Sequence, residues 1–266
     1  RVQSALVSEG FDLGSVDGVF GRMTFEALKQ LQKKLGLKAD GLVSFGLWRD
    51  VTKQPVPGVF ERCLQITSSF EGHGFTKIAG NFDNAGVTWG TIGYNIRSRS
   101  LQPILDYFID YRPDLVREAF GPLAEELVRV MESPLEEQMT WGDQISVGTQ
   151  KHRIAREWAD AFARFGAMDE VQEMQLNEAR EKYWTLAERD RQRFDLTSEL
   201  GAALAFDIAV QCGGIDGGAD SGPEQREIER RFADEKPKRE RDRRVIIADV
   251  VAHHSHPRYV FDVLSR

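Results

Sequence analysis

The sequence predicts a mainly α-helical chain in two parts: a small three-helix unit, then a larger helical unit holding one small β-sheet. Three observations predict it. From Leu101 onward apolar residues recur at helical spacing in run after run. Residues 75–94 alone gather β-branched and aromatic side chains around a glycine- and asparagine-rich turn. Between the parts, Lys53-Gln54-Pro55-Val56-Pro57-Gly58 interrupts both periods with two prolines and a glycine. The expected domains are 1–54 and 59–266.

In the first part Val2, Leu6 and Val7 give a short helical face that Gly10 stops. A turn follows at Val16-Asp17-Gly18-Val19-Phe20-Gly21. Met23–Gln32 then reads as a helix with Phe25, Leu28 and Leu31 on one face and Gln32 beside it. Gly36 ends it. A second Asp-Gly turn, Asp40-Gly41-Leu42-Val43, precedes a short helix around Phe45–Val51. In each turn the aspartate can cap backbone N–H groups and the glycine can take a positive φ.

Beyond the linker, Val59, Phe60, Cys63, Leu64, Ile66, Thr67 and Phe70 keep helical spacing up to Glu71, where Gly72 and Gly74 end the helix. Two short extended runs, Phe75–Ala79 and Val87–Tyr94, are expected to pair as a hairpin or small sheet. Helices are expected at 101–111, 113–131, 134–146, 151–164, 168–193, 196–213, 223–233, 240–254 and 258–265. Gly201–Val210 is apolar nearly all round, which marks a central buried helix. The mixed-charge run 235–244 reads as a solvated loop and helix start, with contact to a polyanion as the alternative.

Composition excludes some classes. The 266 residues are 41% hydrophobic and 29% charged, as in an ordinary globular protein. A net charge of −7 argues against general nucleic-acid binding, which wants a basic face. No apolar run approaches the roughly 20 residues of a membrane span. Cys63 and Cys212 can pair or can both be free core thiols. The chain begins at Arg1 without a charged-then-apolar leader, and Tyr259–Ser265 reads as helix. It is therefore expected to be a fragment or processed product whose export route is not visible.

The chemistry gathers between Phe70 and Tyr94. Glu71 ends an apolar helix, where partial desolvation favours a proton donor. Asp83 lies among Asn81, Asn84 and turn amides, a polar setting that suits an ionised base. Two carboxylates in unlike settings are what hydrolysis of a glycosidic bond needs. Thr88 is placed to hold the attacking water. His73, beside the glycine turn, reads as a structural or substrate-contact group. Trp89 and Phe82 offer rings for sugar stacking or for core packing, and Tyr94 and Arg97 are expected to touch substrate. His253, His254 and His256 sit close together without a clean ligand spacing, so neither metal nor cofactor is expected.

Two resemblances sharpen this reading. Asp17, Gly18, Phe20, Gly21, Thr24 and Gln32 match, as they stand, the signature of the small three-helix peptidoglycan-binding domains. The second half, at Ser44-Phe45-Gly46, departs from their pattern. The resemblance implies that residues 1–54 hold peptidoglycan, with Asp17 and Phe20 either touching it or only building the turn.

Asp83-x-x-Gly86-x-Thr88-x-Gly90-x-Ile92-Gly93-Tyr94 is similar to the active-site strand of the family 46 chitosanases. That resemblance implies a two-lobed, mostly helical fold of the lysozyme superfold and an inverting mechanism. Glu71 would be the general acid, Asp83 the general base and Thr88 the water-positioning residue. Ala205-Phe206-Asp207 through Gly213-Gly214 looks like the same family's buried helix, with Asp207 structural and paired to Arg243 or Arg244.

Departures bear on the substrate. The loop between Glu71 and Asp83 is shorter than in the chitosanases, and Ala85 stands where they carry a basic residue. Arg97 and Arg99 follow the strand and would repel cationic chitosan. A peptidoglycan hydrolase of the endolysin type, cutting β-1,4 bonds and either secreted or acting on the wall in phage lysis, is the expectation. The alternatives are a chitosanase with a wall-binding module and a non-catalytic wall-binding protein.

Overall fold

The computed structural model describes residues 1–14, 16, 20–71, 74–219, 221–255 and 260, with residues 69–71 as backbone only. The chain divides into two compact units, Arg1–Gly58 and Val59–Arg266.

The first unit holds α1 (Val2–Ser8), α2 (Arg22–Lys34) and α3 (Phe45–Thr52). Leu6, Leu13, Ala27, Leu28, Leu31 and Leu47 form its core. Phe25 is only half-buried, and Ala27 takes its expected place on the inner face of α2. Ser44 caps α3, its hydroxyl accepting the Leu47 N–H at 3.2 Å. The buried amide of Gln32 fastens α2 to the second Asp-Gly turn. Its Oε1 accepts the Gly41 N–H at 2.8 Å, and its Nε2 donates to Asp40 Oδ1 at 2.9 Å and to the Leu42 carbonyl at 3.0 Å. Gly41 has φ +72°, and a Cβ there would lie 2.1 Å from the Phe25 ring. Asp17, Gly18 and Val19 lie outside the described residues.

The second unit opens with α4 (Val59–Glu71) and then a three-stranded antiparallel sheet of β1 (Ile78–Ala79), β2 (Thr88–Trp89) and β3 (Tyr94–Asn95). Trp89 pairs with Ile78 on one side and Tyr94 on the other. Helices follow: α5 (Gln102–Tyr111), α6 (Pro113–Phe120), α7 (Ala124–Met131) and α8 (Leu135–Ile145). The helix expected over 113–131 is split by a 3-10 turn at Gly121–Leu123, where Pro122 removes a backbone donor.

A two-stranded hairpin, β4 (Ser146–Val147) with β5 (Arg153–Ile154), comes next. It corrects the expected helix over 151–164, which starts only at α9 (Arg156–Gly166). Then come α10 (Asp169–Ala179), a π turn at Arg180–Trp184 and α11 (Thr185–Arg193), the segment expected as one helix over 168–193. The π turn has a visible cause. The buried hydroxyl of Tyr94 donates to the Gln175 carbonyl, so it enters the helical ladder just before the turn.

Helix α12 (Glu199–Cys212) is capped by Ser198 and ends on Gly213 in the left-handed conformation. It packs against α4 and α11. Ala202, Ala205, Phe206 and Ala209 join the main core, while Ile208 joins a second core with Phe194, Ile228, Ile247 and Val251. It is thus buried on both sides, as its all-round apolar pattern requires. After a 3-10 turn at Ile215–Gly218 the described helices close with α13 (Pro223–Glu235) and α14 (Glu240–His254). The expected helix over 258–265 falls outside the described residues, apart from Val260. The described residues are mainly helical with small sheets, consistent with a lysozyme-like fold.

Neither cysteine forms a disulfide. Burial pushes the Cys63 thiol up to about 11, which leaves it a poor nucleophile at neutral pH.

Candidate active site

The loop between β1 and β2 carries Asp83. Asn81 fixes its near end three ways. Its N–H donates to Ser146 Oγ at 2.9 Å, its Nδ2 donates to Asp143 Oδ1 at 2.8 Å, and its Oδ1 accepts the Gly86 N–H at 2.8 Å. Asp143 is held in turn by Lys151. The Lys151 ammonium and then the Asn81 amide keep the Asp143 carboxyl below the usual carboxylate range.

Between those anchors Asp83 is exposed. One of its oxygens, Oδ1, accepts the Ala85 N–H at 3.0 Å in a local turn, and Asn84 takes a left-handed φ of 64°. The far side is closed by Arg97, whose N–H donates to the Ala85 carbonyl at 3.1 Å and whose Nε donates to the Asn84 carbonyl. Thr88 stands on β2 with its hydroxyl oxygen buried and without a hydrogen-bond partner among the described residues. Arg97 thus closes the turn that carries Asp83, and Thr88 opens the strand that leaves it.

Other expected contacts lie elsewhere. Trp89 is 0% exposed. Its ring packs against Phe162 and Phe165 at centroid distances of 5.6 and 5.7 Å, and its Nε1 donates to the Phe162 carbonyl at 3.3 Å. Tyr94 is equally buried, and burial holds its phenol proton well above the ordinary range. Both side chains are core, not sugar platforms, because β2 and β3 turn those positions inward onto α9 and α10. Phe20 belongs to the first unit, half exposed. Asp17, His73 and the side chain of Glu71 lie outside the described residues; the backbone of Glu71 is the last residue of α4.

Gln175 holds the turn that follows β2. Fully buried, it accepts the Thr91 N–H at 2.9 Å and donates to the Phe75 carbonyl at 3.1 Å. Of the arginines expected near Asp207, Arg243 pairs with Asp195 at 3.1 Å and Arg244 with Glu240 at 3.6 Å. His253 and His254 face Asp249 and Glu227. His256 lies outside the described residues.

Sequence reasoning missed Asp143, Lys151 and His152. Two-residue strands give no period, so the hairpin whose turn carries the last two was overlapped by the helix expected over 151–164. The usable signal was Gly148 followed by three polar residues, a turn rather than a helix start.

The first unit also presents a surface groove of about 400 Å³, lined by Val7, Phe11, Asp12, Leu13 and Val16. It lies on the module where sequence comparison is informative. Residues 1–49 match the family described as "Putative peptidoglycan binding domain". Spore cortex-lytic enzymes of Bacillus cereus are similar over the N-terminal portion, at 54% identity across 42 residues. That stretch is 16% of this chain and 16% of each relative. No solved structure matches the chain. Among the described residues no helix is long and apolar enough to cross a membrane.

Proposed function

We propose that the chain is a peptidoglycan hydrolase of the glycosidase type. Residues 1–58 hold the wall polymer, and the helical unit cuts a β-1,4 bond of its glycan outside the cell membrane. The observation that carries this reading is the setting of Asp83. Its loop is anchored from both sides, and among the described residues one carboxylate oxygen is uncommitted and the Thr88 hydroxyl five residues on has no partner. The chain that contains it begins with a segment matching a wall-binding family.

In the proposed reaction Glu71 protonates the glycosidic oxygen as the bond to the anomeric carbon breaks. Asp83 takes a proton from a water held by Thr88, and that water's oxygen bonds to the opposite face of the same carbon. The product is inverted. Arg97 beside the loop favours a glycan bearing carboxylates over a cationic one. A tethered wall-binding module raises the local concentration of the glycan at the second unit.

The test is hydrolysis of purified sacculi and of soluble chitosan side by side. Reducing ends are expected from sacculi, with Glu71→Gln and Asp83→Asn each lowering the rate roughly 10²–10⁴-fold. Full activity in either variant would remove that residue from the mechanism. A preference for chitosan would change the substrate.

A further inference from the structure

We propose that Phe82 and His152 together form a platform for the face of a sugar ring, one position along the glycan from the bond that Asp83 addresses. The inference rests on the glycan reading above. It starts from a ring where core packing gives no reason for one: Phe82 is 47% exposed and is the immediate neighbour of Asp83. His152, also exposed, reaches it from the β4–β5 hairpin. The two rings stack with centroids 4.4 Å apart and planes 28° apart.

The stack is built in advance. The Gly80 N–H donates to the His152 carbonyl at 3.2 Å, Asn81 joins Ser146, and Lys151 joins Asp143, so hairpin and loop are locked together on either side of it. A Cβ at Gly80 would lie 2.4 Å from the Lys151 carbonyl, so the close approach of the two backbones depends on glycine there. A rigid aromatic face costs little ordering on binding, and the C–H face of a pyranose ring is its natural cover. The edge of His152 lies 3.1 Å from Gln150 Oε1, which leaves a polar rim for sugar hydroxyls. The buried Trp89 and Tyr94 cannot serve this purpose.

The experiment uses the full chain with His152→Ala and His152→Trp. Binding of peptide-free glycan strands is measured by calorimetry in an Asp83→Asn background, so that the strands are not consumed. KM and kcat are measured with Asp83 restored. The N-terminal module contributes equally to every variant. His152→Ala is expected to weaken binding about 5–10-fold and raise KM to match, with kcat within twofold; His152→Trp, which keeps a stacking face, is expected to restore both. Unchanged affinity and KM in His152→Ala, or a loss that tryptophan does not restore, overturns the platform. Failure of the hydrolase reading looks different. If the unmutated chain binds strands but releases no reducing ends, the reaction is wrong, and the platform is still decided by the binding of the two variants.

Discussion

Asp83 ties one carboxylate oxygen to the Ala85 amide and leaves the other uncommitted. Asparagine can keep that tie, so Asp83→Asn is expected to leave the melting temperature within about 2 °C while removing the base. Calorimetry alongside the rate measurement separates the two effects. Glu240 is the opposite case, a carboxylate fully employed in structure. Burial alone would raise its pKa. The Ser198 hydroxyl and N–H and the Thr197 N–H and hydroxyl outweigh that and bring it down to about 2. A depressed carboxyl stabilises the fold above its ordinary value near 4.5, and that stability is lost as pH falls toward about 2. Glu240→Gln is therefore expected to cost on the order of 2 kcal/mol at pH 7 by urea titration, with the difference closing between pH 4.5 and pH 2. The turn at Asp83 and the strand that starts at Thr88 were legible because glycine and asparagine precede a β-branched and aromatic run. The inward turn of Trp89 and Tyr94 was not, because strands of two residues carry no alternation to read.

The elements around the site depend on a few buried amides and close approaches. Gln175 reaches from α10 to both Thr91 and Phe75, and α10 is also where the Tyr94 hydroxyl enters the ladder ahead of the π turn. Gln175→Ala leaves the Thr91 N–H unpaired and one hydrogen bond fewer at the Phe75 carbonyl, and is expected to cost about 2–3 kcal/mol in chemical denaturation. Gly90→Ala meets the same clamp. It has φ +86°, and a Cβ would lie 2.5 Å from Gln175 Oε1, so a cost of about 1–3 kcal/mol is expected. Helix positions were legible in the sequence because long amphipathic runs average out local exceptions: α5, α13 and α14 begin within a residue of their expected starts. The breaks were less so. The π turn arises from a hydroxyl on β3, distant in sequence from α10, and a local period carries no trace of it. The β4–β5 hairpin likewise gains its meaning from the Asp83 loop, through pairings some 60 residues apart such as Asn81 with Ser146.

At the scale of the whole chain, the division at Gly58 separates a unit that matches a wall-binding family from one whose chemistry is proposed. Each unit has its own apolar core. Residues 1–58 alone are expected to sediment with sacculi and release nothing, while residues 59–266 alone are expected to cut soluble glycan strands but act more slowly on intact sacculi. Co-sedimentation and reducing-end assays on the two pieces check this, and equal activity of the longer piece on sacculi would deny the first unit its targeting role. In the proposed reaction the second unit breaks glycan, not peptide, through Asp83. Mass spectrometry of sacculus digests by the full chain and by Asp83→Asn tests it most directly. New reducing-end sugars from the unmutated chain, absent with the variant, are the predicted result. Fragments cut only at amide bonds, or the same reducing ends from Asp83→Asn, would contradict it.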